Sequence, residues 1–139
     1  MSDEHPVYVL DSYALLAYLN GEAGMSRVQE VLEVAARGQS KVVLSVINLG
    51  EVLYLTEREA GLVQAQAVLA AVEQLPVEIL PAAYETVLAA AHIKANHRIA
   101  YADAFAVVAA QDHEACVLTG DPEFEEVAEL VQVEWLEKE

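Results

Sequence analysis

Four short apolar runs recur along the chain, at residues 7–10, 41–44, 77–80 and 116–119, and the segments between them carry helical periodicity. Runs this short are poor candidates for buried helices and suit strands covered on both faces. Parallel neighbours in such a sheet need a crossover long enough to hold a helix, and that crossover is right-handed. The pattern therefore predicts an α/β fold, with a central parallel sheet of four to five strands flanked by helices on both faces. A fifth strand is expected over 131–136, after a short helix over 123–130. With 139 residues, 55 % of them hydrophobic, the chain has enough material for one core, and a single domain over 1–139 is expected.

The helical segments carry their own punctuation. Asp11-Ser12 closes the first strand, and Ser12 is expected to cap a helix over 13–19 that Asn20-Gly21 stops. A second amphipathic segment covers 25–38. Ser45 should cap a helix whose Val46, Ile47, Leu49, Val52, Leu53 and Leu55 form a broad apolar face, ended by Gly61. Helix formers dominate 62–74, ahead of Pro76, and an alanine-rich helix is expected over 82–97. The segment from Tyr101 to His113 has no polar residue over 104–110, so that helix should be buried all round. Gly120-Asp121-Pro122 reads as a turn.

Charge narrows the possible partners. The chain has 23 acidic residues against 7 basic ones, a formal net charge of −16, which repels a nucleic-acid backbone over most of the surface. Any contact with RNA must therefore be local, while the same charge suits a basic partner peptide, a bound cation or simply solubility, and composition does not choose among these. Cys116, the single cysteine, sits in an apolar stretch and is expected to be a small core residue. Residues 1–6 are acidic and 7–10 too short for a signal sequence, and no stretch is long enough to span a membrane, so a cytoplasmic location is expected.

Four acids stand out by position. Asp11 ends the first strand, Asp121 follows the fourth, Asp103 lies in the first turn of the buried helix, and Glu51 lies about two turns into the helix that Ser45 caps. In open parallel sheets the carboxyl ends of the strands are where ligands bind. Each acid has apolar or small neighbours in sequence, and clustered, partly desolvated carboxylates repel one another unless a cation neutralises them. Oxygen donors without paired histidines or cysteines favour Mg²⁺ or Mn²⁺ over zinc. A surface or capping role remains the alternative for any one of these acids alone.

The blocks Val9-Leu10-Asp11-Ser12-Tyr13-Ala14-Leu15-Leu16-Ala17, Ser45-Val46-Ile47-Asn48-Leu49-Gly50-Glu51-Val52, Ala102-Asp103-Ala104 and Leu118-Thr119-Gly120-Asp121 occur in this order along nearly the whole chain. Together they resemble the PIN-domain ribonucleases of the VapC toxin type, from type II toxin–antitoxin systems. The resemblance implies that Asp11, Glu51, Asp103 and Asp121 form the catalytic site and bind one or two Mg²⁺ or Mn²⁺ ions. Ser12 and Thr119 match small hydroxyl positions that would orient the carboxylates, and Asn48, one turn before Glu51, would support that carboxylate or contact RNA. The implied reaction is hydrolysis of an RNA phosphodiester, leaving 5′-phosphate and 3′-hydroxyl ends.

The resemblance also implies an antitoxin partner and a homodimer or higher homo-oligomer, for which apolar residues of 46–59 and 62–73 such as Tyr54 and Leu55 are candidate contacts, although core packing would explain them as well. Lys94, His97 and Arg98 concentrate scarce positive charge just before Asp103 and are candidate RNA contacts, although cations also suit a helix C-terminus. His5, His92, His97 and His113 are expected at the surface. An aspartate-phosphorylating phosphatase would want a second Asp two residues after Asp11, where this chain has Tyr13. A PIN-like scaffold without nuclease activity is the alternative from another functional class.

Overall fold

Five parallel strands lie in the order β3-β2-β1-β4-β5, so the chain builds outward from β1 in one direction and then crosses back to the other side. The computed structural model describes residues 5–138. The strands are β1 (Val7–Leu10), β2 (Lys41–Ser45), β3 (Glu78–Leu80), β4 (Cys116–Thr119) and β5 (Gln132–Trp135). The helices are α1 (Ser12–Asn20), α2 (Met25–Ala36), α3 (Val46–Ala60), α4 (Leu62–Glu73), α5 (Tyr84–Asn96) and α6 (Tyr101–His113). The predicted α/β architecture with five strands is therefore the one observed.

Strand alternation divides the core between the two faces. Val9, Val43 and Val117 align across β2, β1 and β4 and pack with Phe105, Val107 and Ile99 on the α5–α6 side. Leu10, Leu44 and Leu118 align one residue later and face Leu15, Val28, Leu49 and Val52 on the side of α1 to α4. Removing each of these side chains from water stabilises the fold by about 1.5–3 kcal/mol before entropy is counted. Every residue of α6 from Asp103 to Ala110 is buried, as its apolar sequence predicts.

Four boundaries and environments differ from the sequence expectation. Asp11, not Ser12, caps α1: its carboxylate accepts from the Ala14 amide at 2.8 Å, and Ser12 is the first helical residue. Both residue types cap well, so sequence alone does not choose between them. The helix expected over 82–97 starts at Tyr84 because Ala83 stays extended (ψ 166°). The short helix expected over 123–130 is a tighter 3₁₀ helix over Pro122–Val127, pinned by buried Phe124 and Val127. Cys116 is half-buried rather than core, since it opens β4 and burial rises only towards that strand's carboxyl end; partial burial nevertheless pushes its thiol pKa up.

Candidate active site

The reversal of direction falls between β1 and β4, which pair with each other yet lead to opposite halves of the sheet. Adjacent crossovers leave on opposite faces at such a point and open a crevice at the carboxyl ends of the strands. Asp11 stands at one lip, directly after β1, and Thr119-Gly120-Asp121 at the other, directly after β4. Asp11 is fully buried, and both its oxygens have donors: Oδ1 takes the Ala14 amide, and Oδ2 takes the Thr119 hydroxyl at 2.5 Å. Thr119 Oγ1 in turn accepts from the Asp121 amide at 3.0 Å, so one hydroxyl joins the two lips.

Gly120 has a steric reason to be glycine. A Cβ there would lie 2.4 Å from the Tyr13 ring, which occupies that space at the start of α1.

A second polar chain runs through α3. The Ser12 hydroxyl donates to Glu51 Oε1 at 2.5 Å, and Asn48 Nδ2 donates to Ser12 Oγ at 3.1 Å and to the Ala102 carbonyl at 3.2 Å. Asn48 is fully buried and bridges α1 and α6 through these two bonds. Its Oδ1 has no partner among the described residues.

Asp103 enters from the first turn of α6 and is also buried. Oxygens of Asp103, Asp121 and Glu123 lie within 4.8 Å of one another, a spacing that can hold a cation. Asp11 and Glu51 are not in that tightest group, yet both act on it electrostatically. Glu123 was not among the acids singled out from sequence; the only signal is its place two residues after Asp121, where the 3₁₀ turn brings it beside α6.

Burial, followed by the charges of Asp11, Asp121, Glu51 and Glu123, pushes the Asp103 carboxyl up from 3.8 to about 8. Burial likewise raises Asp11 to about 7, against the lowering effect of its hydrogen bonds. None of the ion pairs among the described residues engages these acids. An all-oxygen donor set with uncompensated charge fits a hard divalent cation and offers no soft or imidazole ligand.

Lys94 and Arg98 are exposed on the α5–α6 junction that leads into Asp103. His97 ends α5, half-buried, with Nδ1 3.0 Å from the Ile93 carbonyl; His113 is half-buried too, while His5 and His92 are exposed.

The PIN domain family model matches residues 8–130. The chain belongs to the PIN-domain family. No curated protein sequence matches it, but solved structures share the PIN fold. A chain from VapBC2 of Rickettsia felis, bound to a promoter DNA fragment, superposes with a TM-score of 0.75 at 17 % identity, covering 94 % of this chain and 99 % of that one. Mycobacterium tuberculosis VapC20, described as a sarcin-ricin loop cleaving toxin, gives 0.66 at 19 % identity, with 86 % and 92 % covered. A chain of FitAcB from Neisseria gonorrhoeae gives 0.56 at 22 % identity, with 91 % and 95 % covered. At these identities the likeness establishes the fold of this PIN domain.

Proposed function

We propose that this PIN domain is a Mg²⁺- or Mn²⁺-dependent endoribonuclease and the toxin of a toxin–antitoxin pair. The observation that carries the reading is the pair of buried acids, Asp11 and Asp103, gathered with Asp121 and Glu51 at the β1–β4 crevice and in no ion pair among the described residues. A divalent cation, when bound, supplies an activated water and neutralises charge at the phosphodiester. Asp11, Glu51, Asp103 and Asp121 hold one or two such ions in this reading. Thr119 orients Asp11, Ser12 orients Glu51, and Asn48 orients Ser12, so the carboxylates need little rearrangement on binding.

Lys94, His97 and Arg98 lie where chain order delivers them to the Asp103 end of α6, and they give an RNA backbone a local foothold on an otherwise repulsive surface. The description of VapC20 as a sarcin-ricin loop cleaving toxin fits RNA as the substrate class in this reading. Structures of VapBC and FitAB complexes support an antitoxin partner, for which a strongly acidic chain favours basic segments. A groove of about 860 Å³ between the end of α1 and the α3–α4 pair, lined by Leu16, Leu19 and Leu55 together with Glu22, Glu59 and Gln64, offers contact area of mixed polarity to such a partner or to a second copy in a homo-oligomer. Among the described residues no helix is long and apolar enough to cross a membrane. A cytoplasmic location is part of this proposal.

The test is cleavage of a mixed RNA pool by purified protein with Mn²⁺, with EDTA, and with Asp11→Asn and Asp103→Asn variants. Cleavage that requires the metal and both carboxylates supports the nuclease reading. Equal cleavage in every sample identifies a contaminant and, like absence of cleavage, counts against it.

A further inference from the structure

We propose that Glu123 is a positioning residue that caps α6 in place of Asp103 and so leaves the Asp103 carboxylate free for the metal; this rests on the metal-site reading above. Helix α6 begins after Ala100, which has no side chain able to cap it, and Asp103 is the third residue of the helix. A carboxylate at that position ordinarily reaches back to the backbone N–H of the capping residue. Here that N–H donates instead to Glu123 Oε1, at 3.0 Å, from 23 residues away. Asp103 makes none of the side-chain hydrogen bonds found among the described residues, although its carboxylate lies within 4.8 Å of that of Glu123.

The tether is itself held in place. Asp121 Oδ1 accepts from the Glu123 amide at 2.9 Å, and Phe124 and Val127, both fully buried, anchor the 3₁₀ turn beneath it. Without Glu123, Asp103 at the third position of α6 is the carboxylate that capping geometry turns back to the Ala100 N–H, and a carboxylate held at its own helix start is a poorer ligand.

Glu123→Gln keeps a carbonyl oxygen for the Ala100 N–H and loses the charge, whereas Glu123→Ala loses both. The experiment measures Mn²⁺ affinity by titration calorimetry on wild type, Glu123→Ala, Glu123→Gln and Asp103→Asn, with hydrogen exchange of the Ala100 amide followed in metal-free protein. Glu123→Ala should weaken Mn²⁺ about ten-fold, the range for losing an outer-shell partner, while Glu123→Gln stays within about two-fold of wild type. The Ala100 amide should stay protected in Glu123→Ala, because Asp103 takes it over, and lose protection when Asp103→Ala is added. Equal weakening in Gln and Ala variants would show that Glu123 acts by its charge and would overturn the proposal, as would unchanged affinity in Glu123→Ala or loss of Ala100 protection in that single variant. A wild type that binds no Mn²⁺, or an Asp103→Asn variant that binds as well as wild type, overturns the metal-site reading and this proposal with it.

Discussion

The crevice at the ends of β1 and β4 and the helical pair α3–α4 break the ordinary inside–outside rule in opposite directions. The crevice buries Asp11, Asp103, Asn48 and Thr119, groups that water normally keeps. The helical pair exposes Tyr54, Leu62 and Val63, groups that water normally expels. The first departure is built: Ala14 and Thr119 hydrogen-bond Asp11, and Asn48 and Ser12 form a chain that ends on Glu51. The second shows no such network among the described residues, only exposed apolar side chains beside a groove of mixed lining, where Glu22, Glu59 and Gln64 accompany Leu16, Leu19 and Leu55. Buried charge with organised neighbours points to chemistry at that place, while loosely arranged exposed apolar area points at most to contact.

The comparison breaks most directly at Asp103. In the nuclease reading, Asp103→Asn should cut Mn²⁺-dependent RNA cleavage to below about one hundredth of wild type, because the amide keeps the shape but not the charge that a metal needs. Initial rates on a defined RNA check this, and a variant retaining more than half of the rate would remove Asp103 from the site.

A pH titration of folding sharpens the same contrast. The folded-state pKa values of Asp103 (about 8) and Asp11 (about 7) lie above the ordinary 3.8. Both carboxyls thus hold protons in the folded protein at pH values where the unfolded chain has already released them. Their contribution to stability is therefore full below pH 4 and is lost as pH rises through 7 and 8. Metal-free protein should show a Tm that falls across this window, with Asp103→Asn flattening the fall and Mn²⁺ reversing it by binding the deprotonated site. Identical pH profiles for wild type and Asp103→Asn by differential scanning calorimetry would contradict the raised pKa.

Thr119→Val tests the bridge between the two lips. Valine matches the shape of threonine but removes the donor to Asp11 and the acceptor for the Asp121 amide. Mn²⁺ affinity should fall by about ten-fold, a typical cost for losing an outer partner of a ligand. An unchanged titration would mean that the carboxylates are positioned without it.

These tests fall on parts of the molecule that differ in how legible they are in sequence. The strands are legible because a four-residue β-branched run between helical segments has few other uses, and α6 because an apolar stretch on every face has nowhere to go but the core. Asp11, Asp103 and Asp121 are legible through their places at strand ends and in the first turn of α6. Capping by Asp11 is not, since Asp11 and Ser12 are equally suited to it and the choice depends on Ser12 turning to Glu51 across 39 residues. Glu123 is illegible for a similar reason: its partner is a backbone amide 23 residues earlier, reached only once the 3₁₀ turn and α6 are side by side. The burial of Asn48 likewise depends on α1 and α6 closing over it.

The smallest expected effect lies on the helical pair. Val63 is 81 % exposed and has little packing to lose, so Val63→Ser should change stability by no more than about 0.5 kcal/mol in dilute protein, by chemical denaturation. If α3–α4 is a contact surface in solution, the same substitution should lower Tm only at higher protein concentration, because association stabilises the folded state by mass action. Sedimentation of wild type at micromolar concentration supplies the companion measurement. A monomer there, together with a concentration-independent Tm, would leave the apolar residues of α3–α4 without a homo-oligomeric role and keep the contrast with the crevice intact: one region organised for a ligand, the other merely uncovered.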